Sequence, residues 1–109
     1  MLVFDSRRRY GVRVVNGVDS MATIRIKVTV RQKYGLHARP AASFVKLARK
    51  FEADIILEKD GERVDGKSIM GVMMLAVSRG ETVFLEASGP DGEHACEQLK
   101  SFLENGTVD

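Results

Sequence analysis

The chain has 109 residues, 44% of them hydrophobic and 29% charged, which fits one globular domain with an ordinary soluble composition. A domain of this size buries about two thirds of the surface its unfolded chain exposes, so its core needs neither disulfide nor metal, and the single Cys96 has no internal partner. No apolar run approaches the ~18 residues that span a bilayer, and Met1-Leu2-Val3-Phe4 is too short for a secretory core, so a cytoplasmic protein without membrane insertion is expected.

The formal charge of +2 is unevenly spread. Residues 1–20 hold four arginines against two aspartates, which leaves 13 basic and 13 acidic side chains in the other 89 residues. An electroneutral body lacks the basic footprint of a nucleic-acid binder, and no such partner is expected.

Residues 1–21 combine Arg7-Arg8-Arg9, Gly11, Gly17 and short valine pairs with no sustained period of 2 or 3.6. They are expected to form a poorly ordered extension, with residues 22–109 as the domain. Ser6-Arg7-Arg8-Arg9 resembles a twin-arginine export signal, but no hydrophobic stretch of the required length follows. Met21 directly precedes the first strand and is an expected alternative start.

Ile24, Ile26, Val28 and Val30 alternate with Arg25, Lys27 and Thr29, which predicts a strand with one buried face. Ala41, Phe44, Val45, Leu47, Ala48 and Phe51 fall at helical spacing over 38–50, with Pro40 in the first turn, where a missing N–H does no harm. Residues 55–58 and 63–65 flank Lys59-Asp60-Gly61-Glu62, a hairpin signal. Ser68 stands as an N-cap before a short apolar helix over 69–76, with Val72, Met74 and Leu75 as candidates for the core. Val83, Leu85 and Ala87 mark a fourth strand. Asp91 is placed to cap a last helix with Ala95, Leu99, Phe102 and Leu103 as its buried stripe and Gly106 as its stop. The order β-α-β-β-α-β-α predicts an α+β fold, an open-faced β-sandwich in which a four-stranded antiparallel sheet carries three helices on one face.

The informative chemistry lies at Gly35-Leu36-His37-Ala38-Arg39-Pro40. A histidine at a helix start faces unpaired first-turn N–H groups, a site that favours an anion and disfavours an imidazolium. Arg39 adds a guanidinium fork able to pair bidentately with phosphate oxygens. The pair describes a phosphoryl acceptor; the plainer alternative is a helix-capping His37 beside a surface arginine.

With Lys67-Ser68-Ile69-Met70-Gly71-Val72-Met73 and the hairpin between the two motifs, residues 24–103 closely resemble HPr, the histidine-containing phosphocarrier family of the bacterial phosphoenolpyruvate-dependent sugar phosphotransferase system (PTS). The family shares the β-α-β-β-α-β-α order; only the residues before Met21 lack a counterpart. The resemblance implies that His37 takes a phosphoryl group on Nδ1 from the phosphorylated phosphoenolpyruvate-protein kinase, Enzyme I, and passes it to Enzyme IIA domains of sugar permeases. Arg39 would steady the phosphate and the backbone N–H groups of Ala38 and Arg39 would cradle it. Paralogues that lost the carrier role replace this histidine.

The resemblance further implies that Ser68 is a regulatory site for an HPr serine kinase/phosphorylase, and that Ile69, Met70 and Met73 form an exposed patch for docking partners. The protein is expected to be a monomeric carrier rather than an enzyme, with no metal and no cofactor. Two other readings stand beside it. One is a regulatory interaction module controlled by Ser68 with sugar transport secondary; the other is a small nucleic-acid binder, disfavoured because Phe84 is the one aromatic expected on a strand. His94 is expected to be exposed and inert, and Cys96 a small buried hydrophobe.

Overall fold

In the computed structural model, residues 2–4, 11–13, 23–33 and 35–105 are described. The elements are β1 (Leu2–Phe4), β2 (Gly11–Arg13), β3 (Thr23–Thr29), α1 (Ala38–Ala48), β4 (Asp54–Lys59), β5 (Glu62–Asp65), α2 (Ile69–Met74), β6 (Thr82–Ser88) and α3 (Gly92–Asn105). All pairings are antiparallel and the sheet order is β1-β2-β3-β6-β4-β5. The last four strands in that order are the expected sheet.

Register follows the period-2 pattern. Ile26 faces Leu85, and Leu85 in turn faces Leu57, so the apolar members of β3, β6 and β4 share one side. That side packs against Ala41, Phe44, Val45, Leu47 and Ala48 of α1 and Ala95, Cys96, Leu99, Phe102 and Leu103 of α3, all buried in one core. The other side is charged: Arg25, Glu58, Arg63 and Glu86 form a four-membered ion network, and the Arg25 guanidinium stands 4.1 Å from the Phe84 ring centroid. The helices therefore cover one face. The β4–β5 hairpin turns through Asp60 at φ 52° and Gly61 at φ 84°, the two left-handed residues of a type I′ turn.

Four expectations change. The sequence predicts no strand before Met21, whereas Leu2–Phe4 and Gly11–Arg13 extend the sheet beyond β3; three-residue strands are too short to show a period. The short helix ends at Met74 rather than Ala76, and Met74 is 68% exposed while Val72 and Leu75 are buried. Phe84 is not the one strand aromatic, since Phe4 ends β1. Asp91 supplies the backbone carbonyl that accepts from Ala95 N at 2.9 Å, but its carboxylate turns to the amides of Glu52 and Ala53. The stop assigned to Gly106 lies outside the described residues.

Candidate functional site

The turn into α1 is built on a close backbone approach. Gly35, at φ 70°, passes so near the chain leaving α2 that a Cβ there would lie 2.3 Å from the Val77 carbonyl oxygen. Leu36, fully buried, donates its amide to that same oxygen at 2.8 Å. His37 follows in the N-cap position with extended backbone (φ −90°, ψ −164°), its carbonyl accepting from Ala41 N at 2.7 Å. The imidazole makes no capping bond to the helix and is exposed. It is thus available for other chemistry, which the capping alternative does not offer.

Around it stand the amides of Ala38 and Arg39, first-turn donors without an intrahelical acceptor, while Pro40 has no N–H to offer. The first turn contains no acidic residue, so the positive end of the helix dipole is not offset there. The Arg39 side chain is exposed, two residues from His37. Three consecutive residues thus offer an exposed imidazole, two first-turn amides and an exposed guanidinium, donor types that suit an oxyanion group.

At the start of α2, Ser68 Oγ accepts from Gly71 N at 3.1 Å, the N-cap expected of it. Ile69, Met70 and Met73 are exposed, Met70 at 72%. Met74 belongs with them, a member the sequence reading missed although it stands four residues after Met70 on the same helical stripe. The two helices run in opposite directions. Arg49 Nε, just past the end of α1, donates to Lys67 O at 3.0 Å, whereas the exit of α2 meets Leu36 through Val77. His37 therefore stands at the Met73–Met74 end of the pair, and Ser68 at the other.

His94 is exposed, with its ring edge-on to Phe51 at 5.4 Å between centroids. Cys96 is buried, and burial, with Glu93 and Glu97 nearby, pushes its thiol up to about 12. Among the described residues no group of three His, Cys, Asp or Glu is placed to hold a metal, and no helix is long and apolar enough to cross a membrane.

The family model described as "PTS HPr component phosphorylation site" matches residues 24–105. The HPr-like protein Crh of Bacillus subtilis is 52% identical over 81 residues, covering 74% of this chain and 95% of its own. The phosphocarrier protein HPr of Cupriavidus necator is 46% identical over 77 residues, 71% of this chain and 86% of its own. The crystal structure of HPr from Bacillus anthracis superposes with a TM-score of 0.73 at 46% identity, over 74% of this chain and 96% of that one. Sequence motifs, element order and superposition agree, and the chain belongs to the HPr family, the phosphocarrier component of the phosphotransferase system.

Proposed function

We propose that this chain carries a phosphoryl group on His37 between Enzyme I and the Enzyme IIA domains of sugar permeases, as a cytoplasmic monomer. In the first transfer the Nδ1 lone pair of His37 attacks phosphorus, the bond from phosphorus to its carrier atom on Enzyme I breaks, and that bond's electron pair stays with the carrier atom. The Arg39 guanidinium and the amides of Ala38 and Arg39 donate hydrogen bonds to the phosphoryl oxygens as negative charge moves across. In the second transfer a nucleophile of Enzyme IIA attacks phosphorus, the P–N bond to His37 breaks, and its electron pair returns to the imidazole. Neither step calls on a metal or cofactor held by this protein.

The observation that carries the reading is the exposed His37 imidazole, unused by the fold, at the start of α1 beside two first-turn amides. Ile69, Met70 and Met73, joined by Met74, supply an adaptable apolar surface for both partners. Incubation with phosphoenolpyruvate and Enzyme I is expected to give an acid-labile phosphate that maps to His37, is lost in His37→Ala and persists in His94→Ala. Equal labelling of His37→Ala would end the carrier reading.

A second reading has its own support. The 52% identity is to an HPr-like protein, Crh, whose solution structure is described as that of a catabolite-repression HPr. On that reading Ser68, modified by a serine kinase/phosphorylase, controls a regulatory partner, and flux through His37 is secondary. Paralogues without the carrier role replace the active histidine, and its presence here favours the first reading. Sugar-permease genes in the source genome would favour it further; a serine kinase gene without them would favour the second.

A further inference from the structure

The turn that presents His37 is closed by Gly35 N on Gln32 O at 3.0 Å and is tied to the rest of the fold by the Val77 carbonyl, which accepts from Leu36 N and which Gly35 skirts. The segment containing Val77 leaves α2 through Ala76, which sits at φ 50°, a left-handed conformation that a residue with a Cβ adopts at a cost. Something must hold it. Lys59, at the end of β4, donates from Nζ to Ala76 O at 3.0 Å and Leu75 O at 3.3 Å, and pairs with Glu81 Oε1 at 3.0 Å. The same Glu81 oxygen accepts from Ser78 N at 2.7 Å. One ammonium–carboxylate pair thus grips residues 75, 76 and 78, on both sides of Val77.

We propose that Lys59, acting with Glu81, is a positioning residue for His37: it fixes the Val77 carbonyl and, through the Leu36 amide, the place of the imidazole over the first turn of α1. The inference rests on His37 being the phosphoryl acceptor. Lys59 and Glu81 do not touch the phosphoryl group. Loosening their grip shifts the imidazole while leaving the apolar side chains of α2 in place, so the maximal transfer rate falls and partner binding does not.

The test uses the full chain and its Lys59→Met, Lys59→Arg and Glu81→Gln variants. Amide hydrogen exchange is read by NMR, and phosphoryl acceptance is measured against the concentration of phosphorylated Enzyme I. In Lys59→Met the Leu36 amide is expected to exchange roughly tenfold faster while the Leu85 and Leu99 amides keep their rates. The maximal acceptance rate is expected to drop several-fold at an unchanged half-saturating Enzyme I concentration. Glu81→Gln moves both readouts the same way, and Lys59→Arg restores them.

The proposal is overturned by an unchanged Leu36 exchange rate in Lys59→Met, by an unchanged maximal rate, by a loss confined to half-saturation, or by equal acceleration at Leu85 and Leu99. Wild-type protein that takes up no phosphate would remove the carrier reading instead; the exchange measurement would still decide whether Lys59 holds the turn.

Discussion

The carboxylate of Asp91, at the head of α3, accepts the amide of Ala53 on Oδ1 at 2.8 Å, while its other oxygen takes Glu52 N at 2.9 Å. Two donors in the link between α1 and β4 are thereby satisfied by a residue 39 and 38 positions away. The side chain staples α3 to the link between α1 and β4.

Those bonds, the Glu52 amide first, hold the Asp91 carboxyl below the usual aspartate range. A group with a lowered folded-state pKa contributes stability above its unfolded value, ~3.9, and loses it as pH falls through the folded value. Asp91→Ala is expected to lower Tm by several degrees at pH 7, with the gap closing in strong acid. Melts across pH check this; a pH-independent gap would contradict it.

Glu86 is 5% exposed on the open face of the sheet, bonded to Arg63 at 2.6 Å and to Arg25. Arg63 first, then Arg25, hold its carboxyl below the ordinary range against the opposing effect of burial. Glu86→Gln is expected to cost roughly 1–3 kcal/mol at pH 7 by breaking charge-assisted bonds. The cost should shrink as pH falls below ~4.3, where wild-type carboxyls gain protons too. Urea unfolding at pH 7 and pH 3 measures the difference, and equal costs at both would refute the account.

Arg39→Lys is expected to melt with the wild type, because the side chain is exposed, yet to transfer phosphate more slowly. A lysine keeps the charge but not the planar fork. Transfer kinetics indistinguishable from wild type would remove Arg39 from the site.

Ser68 tests fold and docking together. Ser68→Ala loses the bond to Gly71 N and is expected to cost about 0.5–2 kcal/mol. Ser68→Asp keeps an acceptor and adds a charge favoured at a helix start by roughly 0.3–1 kcal/mol, so it should be at least as stable as wild type. The new charge borders Ile69 and Met70 and must be desolvated or opposed by a docking partner, so phosphate acceptance should fall by about tenfold or more and recover partly in high salt. Acceptance at the wild-type rate would move the docking surface away from Ser68.

Local signals carried most of the fold. Alternation at Ile24, Ile26 and Val28, the Asp60-Gly61 turn, the stripe from Ala41 to Ala48 and the Ser68 cap depend on neighbours in sequence, and each is found in place. Which of Val72, Met74 and Leu75 enters the core stays open in the sequence because α2 has two apolar stripes. Val72 and Leu75 lie three apart on one, Met70, Met73 and Met74 on the other, and periodicity does not say which of the two meets the sheet. The Asp91 staple and the Lys59–Glu81 pair join residues far apart in sequence, so no local pattern announces them. At the site, the residue types and the helix start were legible; that Leu36 is held by Val77 was not.

Cys96 gives this protein a clock for its own opening. It is the single cysteine of the chain, sits on α3 in the core, and has a thiol pushed up to about 12 by burial and two neighbouring glutamates. Alkylating reagents attack the thiolate, which at neutral pH hardly exists while α3 is seated. Because Cys96 is fully buried, a reagent reaches it only when α3 leaves the sheet, and where reclosing outpaces labelling, the rate relative to that of the unfolded chain gives the free energy of that departure.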